Sequence, residues 1–305
     1  MFKFKKEFNV EDIRNYFNDP PALDLNVSKN EISRYRIEMK NDYMDSTGNV
    51  TKRQHLESIY TRKITGKIRD YLYLTEITLD EVKFESENKS LNWTFAEGTT
   101  IPFYLFSCRY LKEFEYIKSE IEDGLIKKQL DNLTAIFTRF PKLPSVSLFI
   151  LHVFDMVGFE NINCHLLSYP VLLNYPGTAI ELQTVSETST NLTGGSFSEG
   201  SFYKNGKVFA VNHGLNLFQD KICMVIEFFC DEAKLKSKSD SASKSGTSTY
   251  SGVMYIDLKT GLIMKTMMKE YLFTTQRIMG ADHKKKVRSL VRRIVNLEAL
   301  SENNG

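Results

Sequence analysis

The stretch ISRYRIEMK, residues 32–40, alternates apolar and charged side chains without interruption. Its apolar positions are Tyr35, Ile37 and Met39. Its charged positions are Arg34, Arg36, Glu38 and Lys40. A period of two is the period of a β-strand. One apolar face and one charged face together predict a half-buried strand of an antiparallel sheet.

The sequence around this stretch extends the same pattern over a first β region, 30–107. A turn is predicted at DSTGN, residues 45–49, and the β-rich segments after it are HLESIYTRKIT, DYLYLTEITLDEVKFES, LNWTFAE and IPFYLF. Five predicted strands with no helix between them favour a meander of antiparallel strands over a parallel α/β sheet.

A second β region is predicted at 178–300. GSFYKNGKVFAVNHG, residues 200–214, predicts a hairpin that turns at Asn205-Gly206. KICMVIEFFC, residues 221–230, predicts a nearly continuous apolar strand, and a further hairpin is predicted to turn at 259–261. The Ser- and Lys-rich segment 234–248 has no apolar pattern, so we predict a mobile loop there between two strands.

The C-terminal KKKVRSLVRRIVNLEAL, residues 284–300, fits two structures. As a helix, it would place its basic residues opposite an apolar stripe, as in helices that bind membrane surfaces or nucleic acids. As a strand, it would close the meander against EYLFTT, residues 270–275, and its charges would form an exposed sheet edge. The preceding hairpins favour the strand.

The centre of the chain, 109–158, has the period of a helix. It ends in SLFILHVFDMVGF, residues 147–159, which is apolar on nearly every face and must therefore be covered all round. Thirteen helical residues rise about 20 Å, too short to span a bilayer. We therefore expect a single β-rich domain over 1–305 of the α+β class. It would have a large, curved, mostly antiparallel sheet, a half-barrel-like meander, with the central helices packed on its concave face.

In outline, this architecture is similar to that of the half-barrel periplasmic carriers, which hold acyl chains between sheet and helices. The resemblance is architectural and rests on no motif. It fits our first hypothesis, a non-catalytic binding protein that holds an apolar or lipid-like ligand, or a partner's apolar segment, in a groove between sheet and helices. The candidate ligand-binding residues are Met254, Met264, Met267, Met268, Tyr271, His152 and Asp155.

The pair His152 and Asp155 gives a second hypothesis, a hydrolase. The two residues are one helical turn apart, so the carboxylate could orient the imidazole as a general base. The two side chains could equally serve only to satisfy each other in the core. No nearby motif supplies a nucleophile or a third metal ligand, so we favour a protein without catalysis, cofactor or metal.

A third hypothesis rests on charge. The formal net charge is only +2, which makes nucleic acid an unexpected partner. One basic cluster could still bind a polyanion or a membrane surface: Lys284, Lys285, Lys286, Arg288, Arg292 and Arg293. Four scattered cysteines predict no disulfide scaffold. The start of the chain shows no signal peptide, which predicts a cytoplasmic protein if the sequence is complete and an extracytoplasmic one if a leader was removed.

Overall fold

Strands make up most of the described part of the chain. The computed structural model describes residues 25–69, 72–87, 89–106, 155–156, 158–160, 162–163, 176–177, 179–182, 196–198, 201–204, 206–238, 242–279 and 284–301. The strands are β1 Ile32–Met44, β2 Val50–Arg69, β3 Leu72–Ser86, β4 Lys89–Phe106, β5 Ala179–Leu182, β6 Ser196–Ser198, β7 Ser201–Lys204, β8 Val208–Phe218, β9 Lys221–Lys238, β10 Ala242–Asp257, β11 Ile263–Met279 and β12 Lys284–Ala299.

All twelve strands belong to one sheet. Its order is β4-β3-β2-β1-β12-β11-β10-β9-β7-β6, while β8 pairs with both β9 and β5. Neighbouring strands are antiparallel at each described pairing. The pairing of β1 with β12 runs from Tyr35 opposite Ala299 to Met44 opposite Leu290, so it joins the two β regions edge to edge. The predicted large antiparallel sheet is therefore confirmed. The single domain over 1–305 stays a prediction.

The predicted α+β class is wrong. No helix of seven or more residues occurs among the described residues, where helical turns are confined to 155–156, 158–160 and 162–163. Most of the predicted helical centre, 109–158, lies outside the described residues. In the apolar run 147–159, the described residues are 155–156 and 158–159, and they are helical.

The first β region is confirmed as a meander, with one correction. LNWTFAE and IPFYLF, predicted as two strands, belong to the single strand β4. Pro102 lies within β4, where it cannot donate a ladder hydrogen bond. Because β4 ends the described strand order and pairs only with β3, a proline is tolerated there.

The hairpin predicted at Asn205-Gly206 is wrong. The strands on either side of this dipeptide, β7 and β8, pair with the same strand β9 at successive positions and not with each other. Gly206 passes so close to β9 that a Cβ there would overlap the carbonyl oxygen of Glu232. The glycine therefore permits a close approach of two backbones, where the sequence suggested a turn.

The mobile loop predicted at 234–248 is also wrong. Strand β9 continues to Lys238 and β10 begins at Ala242, and their register includes Ser243 opposite Lys238 and Ser245 opposite Lys236. Strand pairing overrides the low-complexity composition of this segment. The hairpin predicted at 259–261 is confirmed, with Gly261 at φ 71° and its N–H donating to Asp257 O.

The C-terminal segment is a strand, as favoured, and pairs with β11 as predicted. The expectation that its charges form an exposed edge is wrong. β12 lies between β1 and β11 in the interior of the sheet, because a strand from the other end of the chain supplies its second neighbour.

One face of the sheet forms the core and is called the buried face below. In β1 it carries Tyr35, Ile37 and Met39, each 1% exposed or less, as the alternation predicted. Its members on other strands include Leu56, Tyr60, Ile77, Leu79, Phe228, Met254, Met268, Val295 and Leu297. The opposite face, called the outer face, carries the alternating charged and half-buried residues.

The described residues between 155 and 163, called the docked segment below, lie against the buried face. Met156, Phe159 and Ile162 are at most 2% exposed and belong to the same hydrophobic core as the sheet. The described helices include none that is long and apolar enough to cross a membrane. The predicted localisation stays a prediction.

Candidate functional site

A buried ion pair attaches the docked segment to the N-terminal half of the sheet. Arg62 on β2 donates from Nη1 to Oε1 of Glu160 at 2.5 Å and from Nη2 to the hydroxyl of Tyr35 at 2.6 Å. The side chains of Arg62 and Glu160 are 1% and 5% exposed. Burial raises the pKa of Glu160, against the opposing effect of Arg62. Burial also raises the pKa of Tyr35 to about 12, so its hydroxyl stays protonated.

A second buried cluster attaches the segment to the C-terminal half. Arg293 on β12 donates from Nη1 to Glu270 on β11 and from Nη2 to Asp155 of the docked segment, the latter at 2.5 Å. Burial raises the pKa of Asp155 to about 6, although Arg293 acts to lower it. Among the described residues, one guanidinium thus faces two buried carboxyl groups.

A pocket of about 510 Å³ opens where β1 turns into β2, beside the start of β12. Its lining consists of Tyr43, Met44, Asp45, Thr51, Lys52, Gln54, Arg288 and Ser289. The volume lies within the range of about 300–1,000 Å³ that is typical of small-molecule sites.

The pocket lining is positive in character. Lys52 Nζ lies 5.4 Å from the ring centroid of Tyr43, and Arg288 is exposed. Neither cation forms an ion pair with another described residue. The one carboxylate of the lining, Asp45, already accepts hydrogen bonds from the N–H groups of Thr47 and Asn49, both at 2.9 Å. The cations are therefore the groups available to a ligand.

The pocket borders a row of polar side chains on the buried face. Tyr43 donates to Oε1 of Gln54 at 2.8 Å, and Gln54 is 7% exposed. The strand register pairs Gln54 with Asn41, and Asn41 with Arg293. It also pairs Arg293 with Glu270, so these residues form one row across the sheet. Burial raises the pKa of Tyr43 while Arg293 acts to lower it, so the pocket and the Arg293 cluster share one electrostatic environment.

Several buried oxygens of the interior have no hydrogen-bond partner among the described residues. They are Asn41 Oδ1, Thr75 Oγ1, Thr266 Oγ1, Glu160 Oε2 and Asn163 Oδ1. Leaving such an atom unsatisfied costs about 1–3 kcal/mol. Ordered water or a polar ligand usually meets that need, so the space between the docked segment and the buried face has the character of a partly polar interior.

The methionine and aromatic residues predicted to bind a ligand do not form one patch. Met254, Met264 and Met268 are 0%, 4% and 8% exposed and pack in the core. Met267 is 38% exposed and shares the outer face with Tyr271, over whose ring Lys269 lies. Alternation along β11 separates Met267 from Met268, because neighbouring residues of a strand face opposite ways.

Of the predicted pair of His152 and Asp155, only Asp155 belongs to the described residues. The carboxylate of Asp155 is bound to Arg293 and is 10% exposed. Its described environment is that of a buried ion cluster, and it contains no described serine or cysteine in contact with Asp155.

The six basic residues predicted to bind polyanions are divided by the strand. Arg293 is buried in its ion cluster, and Arg292 binds Asp42 on β1. Arg288 is exposed at the pocket. Lys284, Lys285 and Lys286 begin β12, but their side chains lie outside the described part. Two of the six cations, Arg292 and Arg293, are therefore paired with carboxylates and do not contribute to a common basic surface.

The sequence interpretation missed Arg62, Glu160 and Glu270, although a signal for two of them was present. Arg62 falls on the face of β2 that also carries Tyr60 and Ile64, and Glu270 shares the face of Met268 on β11. A charge on the apolar face of an alternating strand indicates a buried ion. No local pattern identified Glu160, which is separated from Arg62 by 98 residues.

Comparisons with known proteins assign this chain to no family. No protein-family model matches the chain, and no curated protein is significantly similar to it in sequence. Among solved structures, an outer membrane channel from Pseudomonas putida F1 aligns over 90% of this chain and 97% of its own at 7% identity, with a TM-score of 0.16. A likeness at that TM-score carries no information about fold or function.

Proposed function

We propose that the protein is a non-catalytic binding protein that holds a lipid-like ligand between the buried face and the docked segment. The anionic head group of the ligand would lie in the pocket beside Lys52 and Arg288. The observation that carries the proposal is this pocket of about 510 Å³, which is lined by cations without carboxylate partners among the described residues and includes Gln54 of the buried face.

The chemistry of the lining supports an amphiphile over a purely apolar ligand. Lys52, Arg288 and Ser289 offer donors that suit a carboxylate or phosphate. Behind them, the buried face combines apolar rows with oxygens such as Asn41 Oδ1 that lack a described partner. The enzyme and polyanion hypotheses have less support, since Asp155 binds Arg293 and Arg292 binds Asp42.

A fluorescent long-chain fatty acid tests the proposal in an equilibrium titration with the full chain. We expect saturable binding that weakens at least about tenfold in the double variant Lys52→Met and Arg288→Met, because a hydrogen bond to a charged group contributes about 1.5–3 kcal/mol. The matched control is Lys269→Met, since Lys269 also lies over a tyrosine ring, Tyr271, but on the outer face. That variant should bind as the wild type does.

Two results would contradict the proposal. The first is a fatty acid that shows no saturable binding to the wild type. The second is equal weakening by the pocket variant and by Lys269→Met, which would indicate nonspecific attraction to surface charge. The corresponding fatty alcohol separates the head group from the chain, because it should bind the wild type and the pocket variant alike.

A further inference from the structure

Three potential metal ligands converge on the outer face, away from the pocket. Glu38 lies on β1, and His55 and Glu57 lie two residues apart on β2, so all three side chains project from the same face. In the register Glu38 lies directly opposite Glu57. One ligand atom from each residue lies within 4.8 Å of the others, and each side chain is 22–29% exposed.

We propose that Glu38, His55 and Glu57 form a binding site for a divalent transition-metal ion of the zinc type. One imidazole nitrogen and two carboxylate oxygens are a ligand set that zinc accepts, at bond lengths of about 2.0–2.2 Å. A fourth position would remain for water. Ligand atoms within 4.8 Å of one another need only small side-chain rotations to reach a shared ion.

The orientation of His55 is independent support. Its Nδ1 lies 3.4 Å from Oε2 of Glu85 on β3, and its Nε2 lies 2.9 Å from Oε1 of Glu38. Nε2 is shielded from solvent and makes no hydrogen bond with a described residue despite that proximity. A carboxylate beside one ring nitrogen, which leaves the other nitrogen for the metal ion, is the arrangement that orients metal-binding histidines.

The two carboxylates of the site attract cations, and lysine ammonium groups already lie beside them. Two carboxylates directly opposite each other destabilise an antiparallel pair unless a positive charge offsets them. Lys40 Nζ lies 2.7 Å from Glu38 Oε1, and Lys83 Nζ lies 3.4 Å from Glu57 Oε1. Asn296 Nδ2 also donates to Glu38 Oε2, at 3.2 Å. Lys40 is thus the competitor that a metal ion must displace.

Titration of the untagged full chain with Co²⁺, followed by visible absorption, tests the site, with Zn²⁺ displacing the Co²⁺. We expect one ion per chain. His55→Ala and Glu57→Gln should each weaken binding, and Glu85→Gln should weaken it by about 10–100-fold as an outer-shell change. Lys40→Met should tighten binding severalfold, because it removes the competing ammonium.

The matched control is His213→Ala. His213 Nε2 lies 2.8 Å from Glu227 Oε2, also in an exposed His–Glu pair, but no third ligand is grouped with that pair among the described residues. Binding should be unchanged in this variant. The proposal is overturned if Co²⁺ produces no saturable absorption change, or if His55→Ala and His213→Ala affect binding equally. Unchanged binding in Lys40→Met would also contradict it. Circular dichroism of each variant checks that the sheet is intact.

Discussion

Arg62 and Arg293 hold the same docked segment against the same face, one from each half of the sheet, but their charge balances differ. Arg62 faces the single carboxylate of Glu160, whereas Arg293 faces both Glu270 and Asp155. Within the described part of the chain, the first cluster has one carboxyl group for its guanidinium, and the second has two. Arg62 therefore depends on its one carboxyl partner, while Arg293 retains one carboxylate if the other loses its charge.

Glu160→Gln should give the largest effect of the predictions that follow from this comparison. It leaves a guanidinium that is 1% exposed without a counter-charge, and the pKa of Arg62 is raised, so that it cannot shed its proton. We expect a loss of about 3–5 kcal/mol in the free energy of unfolding. Urea denaturation measures it.

The control for that variant is Glu181→Gln, which breaks the exposed pair of Glu181 with Lys207, separated by 3.3 Å. An exposed pair contributes at most about 1 kcal/mol. Equal losses in Glu160→Gln and Glu181→Gln would show that Arg62 is not buried with Glu160 as described.

The burial of Asp155 predicts an intermediate effect, a dependence of stability on pH. Burial raises the pKa of Asp155 to about 6 from 3.8, so between those values the folded protein holds a proton that the unfolded chain has lost. Stability should therefore fall as the pH rises through that window and then level off, by on the order of 1–3 kcal/mol.

Unfolding measured from pH 4 to pH 7.5 on the wild type and on Asp155→Asn isolates this contribution. Glu38 and Asp45 have lowered pKa values and add the opposite slope, but they are common to both proteins. The difference between the two curves should therefore give the contribution of Asp155 to the pH dependence of the free energy of unfolding. Parallel curves would rule out titration of Asp155 in this range.

Asp155→Asn at pH 7 should give the smallest effect. The amide oxygen of asparagine can still accept from Arg293, and Arg293 keeps its hydrogen bond to Glu270. Because asparagine mimics the neutral carboxyl group that burial favours, we expect no loss above about 1 kcal/mol in the free energy of unfolding, and any gain should not exceed the pH effect. A loss as large as that of Glu160→Gln would show that the two clusters do not differ in the way described.

The sequence allowed much of the sheet to be predicted, because alternation is a local property. ISRYRIEMK specified which residues of β1 are buried, and the turn at 259–261 followed from Lys259-Thr260-Gly261. The failures have non-local causes. Asn205-Gly206 resembles a hairpin turn, but β9 provides a shared partner on both sides of it. In the Ser-rich 234–248, the described residues 234–238 and 242–248 are held in strands by their neighbours.

The candidate sites were less predictable than the sheet. Lys52 and Arg288 both line the pocket because β1 lies between β2 and β12. The pairing of β1 with β12 joins distant parts of the chain, and no local sequence pattern encodes it. Asp155 was identified from sequence, but as a partner of His152. Its described partner, Arg293, is 138 residues away and was assigned to an exposed basic cluster. A contact such as that of Asp155 with Arg293 depends on the strand register and is not encoded in the local sequence.

A double-mutant cycle on Arg62 and Glu160 tests most directly whether the middle of the chain docks on a sheet formed by its two ends. The proteins are the wild type, Arg62→Met, Glu160→Gln and the double variant, each measured by urea denaturation. We predict a coupling energy of about 2 kcal/mol or more, with the double variant more stable than Glu160→Gln alone. A coupling energy of zero within error would show that the two side chains do not meet, and the enclosed interior proposed for the ligand would have no support.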